Sequence, residues 1–260
     1  MFRILKLSLG VIFLTVVLLT AQEQKRATVY AQEPYEQRSS FGLFFGLNYN
    51  QHSANFTGAE WGEDLIPNCC PRFEKGQGIG LVFGGFYSFP IISGFDINLR
   101  LHYSELNALL SKDENVKVWN SQGEQRDGIF EHTVDAKISS AGIMPLIKFY
   151  SSDNLSLMAG FRAGVLLGKT FSQKEEITSP SWGGFDRSGS RTRHEISGDI
   201  PNASSIDFAA VFGVSYSLPM GKSYEWFIEP EAFYILGLAP LANNLSWNAN
   251  AISGGISIKY

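Results

Sequence analysis

Along most of the chain apolar and polar residues alternate with period two, which predicts strands with two unlike faces. The clearest stretch runs from 95 to 104. Phe95, Ile97, Leu99, Leu101 and Tyr103 share one face; Asp96, Asn98, Arg100, His102 and Ser104 share the other. The same rhythm recurs over 155–168, over 206–216 and at the chain's end, where Ile252, Ile256, Ile258 and Tyr260 oppose Ser253, Gly255, Ser257 and Lys259. Eight segments are predicted, at roughly 40–50, 76–89, 94–107, 128–149, 155–174, 204–217, 224–237 and 246–260. The connections at 90–93, 151–154 and 218–223 are short, and those at 51–75, 108–127 and 175–203 are long. Short turns at one end and long loops at the other predict an all-β fold: an eight-stranded antiparallel transmembrane β-barrel with short periplasmic turns and long extracellular loops. Segments of about ten residues or more fit tilted membrane strands.

A secreted β-sandwich would also alternate, with its apolar face turned inward. Three features favour the membrane. Phe86, Tyr87, Phe89, Phe95, Phe149, Tyr150, Tyr216, Tyr224, Trp226 and Phe227 crowd the short-turn side, as an interfacial girdle would. The second face is rich in Gly, Ser, Asn and charge, and the last strand finishes on an aromatic residue, Tyr260. Composition agrees: only 18% of residues are charged, against roughly 25% in ordinary soluble domains. A pI near 5.6 excludes the basic footprint of a nucleic-acid binder.

The first 39 residues read differently. Arg3 and Lys6 precede a short, largely apolar run over 7–20, and Ala21 follows, the layout of a secretory signal peptide. The expected division is a signal peptide at 1–21, a flexible N-terminal segment at 22–39 and a barrel at 40–260, with cleavage after Ala21 or, at a more charged site, after Ala31.

An eight-stranded barrel is just wide enough for side chains to fill it. The inward positions include Asp96, Arg100, His102, Arg162, Asp207, Glu229, Glu231 and Lys259, a lumen network of four acids and three bases with His neutral. Enclosed charges are costly unless paired, so a salt-bridged plug is the first reading and a narrow solute pore the second. Pro230 interrupts the seventh segment, where it removes a ladder donor and marks a bulge or a loose pairing. Catalysis by a hydroxyl nucleophile needs a His base and an orienting acid. His102 and Ser104 form a His-x-Ser pair similar to that of lipid A deacylases, but on a strand and face that point inward, so no catalytic residue is assigned. His52, His132 and His194 lack metal-ligand spacing and read as solvated loop residues; no metal and no cofactor are expected. Cys69 and Cys70 are adjacent in the first long loop. In an oxidising compartment they form a vicinal disulfide, a reactive pair or a bond to another chain, and the sequence leaves these open. The loop at 175–203 carries Arg187, Arg191 and Arg193, and Trp61, Trp119 and Trp182 lie in three different long loops, a composition suited to mobile loops or to contacts with glycan, lipopolysaccharide or protein.

The signal peptide, the alternating segments and the ending Ile256-Ser257-Ile258-Lys259-Tyr260 resemble small bacterial outer-membrane barrels, most nearly the PorT-like barrel domain of Bacteroidetes. A Pro before an apolar-basic stretch in the fourth segment (Met144-Pro145-Leu146-Ile147-Lys148) and a glycine-rich second segment (Gly76, Gly78, Gly80, Gly84, Gly85) carry that likeness. The resemblance implies residence in the outer membrane and insertion by the barrel-assembly machinery, which reads Ile256, Ile258 and Tyr260 as an assembly signal. It implies partners among outer-membrane lipid, lipopolysaccharide and other envelope proteins. The expected role is a non-enzymatic structural or partner-binding component of the envelope, or an accessory subunit of a larger envelope or secretion complex. The alternatives are a narrow channel for small solutes and, third, a lipid-modifying enzyme.

Overall fold

The structure is a computed structural model and describes residues 39–57, 72–119, 125–182, 184, 190–221 and 225–260. The expected signal peptide at 1–21, nearly all of the expected N-terminal segment at 22–39, Trp61, Arg187 and the Cys69–Cys70 pair lie outside these residues. The described chain is all β, with eleven strands: β1 Ser40–Phe56, β2 Phe73–Ile92, β3 Phe95–Glu105, β4 Ala108–Trp119, β5 Gln125–Tyr150, β6 Leu155–Ser179, β7 Thr192–Asp199, β8 Ile206–Tyr216, β9 Leu218–Met220, β10 Trp226–Gly237 and β11 Ser246–Lys259.

Eight of these coincide with the predicted segments and pair antiparallel in the order β1–β2–β3–β5–β6–β8–β10–β11. β11 pairs back to β1, from Gly42 opposite Lys259 to Asn55 opposite Ser246. The short connections turn tightly; Gly94, between β2 and β3, takes φ 82°, a left-handed geometry that a side chain resists.

The remaining three strands correct the expected loops. β4 pairs with β5 along its whole length, from Ala108–Ala136 to Trp119–Gln125, and β7 pairs with β6 between Thr170 and Glu176. Much of 108–127 and 175–203 is therefore sheet, because a long hairpin satisfies backbone donors and acceptors that a loop would leave to water. Together β4, the first half of β5, the second half of β6 and β7 continue the sheet beyond the long-connection end. Short β9 pairs with β10 next to Pro230. Pro230 itself lies in regular register opposite Ile256, so no bulge forms there; the break falls instead on the other side of β10, where its partner changes from β9 to β8.

The two faces are inverted relative to a water-soluble protein. Leu43, Ile79 and Leu101 are 71%, 69% and 64% exposed, whereas Arg100, Arg162 and Glu229 are each 1% exposed. Leaving a large apolar side chain in water costs roughly 1.5–3 kcal/mol, so this outer band suits hydrocarbon and not an aqueous solvent. Tyr87, Phe149 and Trp226 are exposed at the short-turn end, but Phe86, assigned to the outer girdle by pattern, points inward against Arg100.

Candidate functional site

The polar interior is layered. Nearest the short turns, Glu229 on β10 accepts hydrogen bonds from Lys148 Nζ of β5 at 2.9 Å, Lys259 Nζ of β11 at 2.6 Å and Ser217 Oγ at 2.5 Å. Asp96, opposite Lys148 in register, accepts the Tyr150 hydroxyl at 2.6 Å. Above them Arg100 on β3 makes a bidentate pair with Glu231 on β10, at 2.7 and 2.8 Å, and its Nε donates to Asn98 Oδ1 at 2.7 Å. The rings of Phe44, Phe86 and Phe233 surround the guanidinium with centroids 5.0–5.3 Å from Cζ. A cavity of about 20 Å³ beside this pair, lined in part by Met144 and Ile235, holds one water at most. In the third layer Arg162 on β6 pairs with Asp207 on β8 at 2.9 Å, and Ser140 Oγ donates to the same carboxylate at 2.8 Å.

All eight residues assigned to the lumen network are buried. The network also contains Lys148, which the sequence reading did not place inside. It is the fourth base and balances the four acids. Its position was legible: Met144, Leu146 and Lys148 share a parity opposite to the exposed Ile143 and Ile147. His102 faces the same interior beside Arg162 and Asp207, with no hydrogen-bond partner on either ring nitrogen among the described residues. Ser104 Oγ accepts from Asn48 Nδ2 at 2.8 Å. The His-x-Ser pair is thus interior and turned away from the exposed apolar face.

Beyond the third layer the interior becomes apolar. Ala54 and Phe56 of β1, Phe73 of β2, Leu106, Leu110 of β4, Val134 and Ile138 of β5, Phe171 of β6, Ile200, Leu241 and Trp247 of β11 converge in one cluster. Trp247 is fully buried, meets the Phe56 ring at a tilt of 52° with centroids 5.3 Å apart, and donates its indole N–H to His52 Nδ1 at 2.9 Å. His52, expected as a solvated loop residue, is therefore part of this cap. The cap was not legible in the sequence because its residues come from six strands and three connections.

Past the cap, one polar chain crosses the projecting sheet. His132 on β5 lies 3.1 Å from Glu114 of β4 through Nε2 and 3.4 Å from Glu175 of β6 through Nδ1. Glu175 also accepts Arg193 Nε of β7 at 2.6 Å, and His194 Nδ1 lies 3.1 Å from it. Burial disfavours charge on both central groups, yet the mutual contacts win: His132 is raised above its ordinary value, and Glu175 is lowered to about 2 by His132, Arg193 and His194. Buried His132 was likewise expected in solvent. Arg191 bonds the carbonyl oxygens of Ile177 and Pro180 and Arg193 bonds Glu175, so these two arginines tie the sheet together. Half-buried Trp182 lies under Arg126 at 5.8 Å. Ile256, Ile258 and Tyr260 stand on the exposed face at the end of the chain. Among the described residues no group of three or more His, Cys, Asp or Glu is arranged to hold a metal ion.

Residues 20–243 match the profile of a family described as outer membrane protein beta-barrel domain. No curated protein sequence is significantly similar. Among solved structures, Ail, the attachment invasion locus protein of Yersinia pestis, aligns with 86% of this chain and 99% of its own at 11% identity and a TM-score of 0.33. The outer membrane protease OmpT from Escherichia coli aligns with 90% of this chain and 99% of its own at 8% identity and a TM-score of 0.36. OprG from Pseudomonas aeruginosa aligns with 86% of this chain and 97% of its own at 10% identity and a TM-score of 0.29.

Proposed function

The chain belongs to the outer membrane protein beta-barrel domain family and resides in the outer membrane, and from that premise we propose that it is a non-conducting, non-enzymatic barrel that presents its projecting sheet to partners at the cell surface. In this reading the eight strands paired from β1 round to β11 close into a transmembrane barrel of the PorT-like type, exported by the signal at 1–21. Its short turns face the periplasm, and Ile256, Ile258 and Tyr260 serve the assembly machinery. The observation that carries the proposal is the filled interior. Three layers of paired charge are followed by an apolar cap with Trp247 at full burial. An ion would have to break buried pairs and then cross hydrocarbon. The absence of an enzyme role rests on His102, which sits in the interior and not at the lipid face. Lipid, lipopolysaccharide and envelope proteins of a larger assembly are the partners this surface offers.

The test is planar-bilayer recording of the purified full-length protein. The expected result is no unitary conductance steps. Steps whose size or ion selectivity changes in Arg162→Gln would establish the narrow-channel reading instead. That reading draws on His102, Arg162 Nη1 and Asn48 Oδ1, buried polar atoms that lack partners among the described residues.

A further inference from the structure

We propose that the membrane-facing side of strands β2, β1 and β11 carries a binding groove for the acyl chain of a glycerophospholipid. The proposal rests on the reading that the short turns face the periplasm. The experiment below separates a failure of that reading from a failure of the groove.

The groove follows from where side chains are missing on the outer band. On β1, Leu43, Phe45 and Leu47 point outward. In register, Leu43 lies between Gly85 of β2 and Ile258 of β11, and Leu47 lies between Leu81 and Gly254. The open groove along these strands is lined only by Leu, Ile, Phe and Gly. Its walls stand proud: Phe45 is 59% and its partner Ile256 is 54% exposed.

The recess is deep because the two strands bend sharply beneath it. Gly46 and Gly255 are cross-strand partners that point inward, and a Cβ on either would stand 2.5 Å from a carbonyl oxygen of the facing strand. Backbones that crowd on the inner side splay their outer side chains apart. On the outer side Gly254 is open, since a Cβ there would meet no atom within 4 Å.

The lining selects the occupant. Side chains without a donor, an acceptor or a charge give a polar head group nothing to bind. An unfilled recess forfeits the dispersion contacts of its walls, and a flexible hydrocarbon chain laid in it restores them. A second copy of this chain fits worse. Two copies upright in one membrane, related by a two-fold axis, set like heights opposite each other. The recess at Gly254 would then face its own counterpart and stay unfilled. The leaflet follows from the aromatic residues below the groove. One step nearer the short turns than Leu43, Phe41 lies opposite Tyr87 and 5.6 Å from the Tyr260 ring, with Trp226 4.9 Å beyond. Rings at this level mark the head-group region. A chain anchored there runs up the groove towards Leu47, and the periplasmic leaflet of an outer membrane is glycerophospholipid.

The experiment is native mass spectrometry of the full-length protein, extracted from outer membranes in mild detergent, with folding of each variant checked by gel shift. The wild type is expected to carry a glycerophospholipid adduct. Gly254→Phe, at a backbone position outside the left-handed region, fills the recess and loses the adduct. Phe45→Ala removes a wall, loses it as well, and serves alone should Gly254→Phe fail to fold. Leu157→Phe, on the exposed face of β6, keeps it. A wild type without adduct overturns the groove, as does an adduct kept by the groove variants or lost equally in Leu157→Phe. A dimer that Gly254→Phe dissociates, in place of an adduct, assigns the surface to a second copy and also overturns it. A lipopolysaccharide adduct lost in the same variants overturns the periplasmic assignment of the short turns, and with it the phospholipid as occupant.

Discussion

Arg100 and Glu231 offer a test of how the interior is held. The guanidinium is 1% exposed, makes two short bonds to the carboxylate and is ringed by Phe44, Phe86 and Phe233. Removing one partner strands the other charge in a site enclosed by protein and, beyond it, hydrocarbon. Breaking a buried pair in this way costs about 3–5 kcal/mol. Arg100→Met and Glu231→Gln should each destabilise the folded protein by that amount. The double variant removes both charges and should cost no more than either single variant, well short of the additive sum. The residual loss would come from Asn98, whose Oδ1 loses the Arg100 Nε donor, and from the loosened packing of the three rings. The assay is reversible urea unfolding in phospholipid vesicles, followed by tryptophan fluorescence and by the gel shift between folded and unfolded forms. Strict additivity of the two single variants would falsify the account, because it would mean that water or a rearranged neighbour already neutralises each group separately.

Two further perturbations probe the cap and the outer band. Trp247→Ala removes the largest buried side chain of the apolar cluster and leaves the His52 ring without its indole donor; it should destabilise by about 3–5 kcal/mol in the same unfolding assay, and a loss under 1 kcal/mol would show that the cap is loosely packed. Leu101→Arg, on the exposed face in mid-strand, should cost about 2–4 kcal/mol in vesicles, while Ile92→Arg at the short-turn end should cost about 0–1 kcal/mol. Equal costs at the two positions would contradict a hydrocarbon belt centred on the middle of the strands.

The strands were legible because a strand's two-residue period is a local property, and it survives in residues such as Phe95 to Ser104 whatever surrounds them. The sense of the faces was legible too: a chain cannot bury Arg100, Arg162 and Glu229 and expose Leu43 and Leu101 unless its outer medium is apolar. The projecting sheet was not legible. Lys112 to Lys117 reads Lys-Asp-Glu-Asn-Val-Lys, with Val116 its one apolar residue, and only pairing with β5 makes it a strand. Pro230 was expected to mark a bulge or a loose pairing; its register with β11 is unbroken, and the gap in pairing lies on the other side of β10, where β9 gives way to β8.

By itself the sequence determined the period-two elements, the short turns between them and the inverted burial of their faces. All of these depend on residues near one another in the chain. The tertiary structure decided which charges meet. Arg100 and Glu231 are separated by 131 residues, and Trp247 and His52 by 195. Parity says only that such groups point inward. Their height in the interior depends on the register of every intervening strand, and register is set by how all the strands pair at once. For the same reason the fourth base, Lys148, the apolar cap and the Glu114–His132–Glu175 row became visible only when the strands were brought side by side.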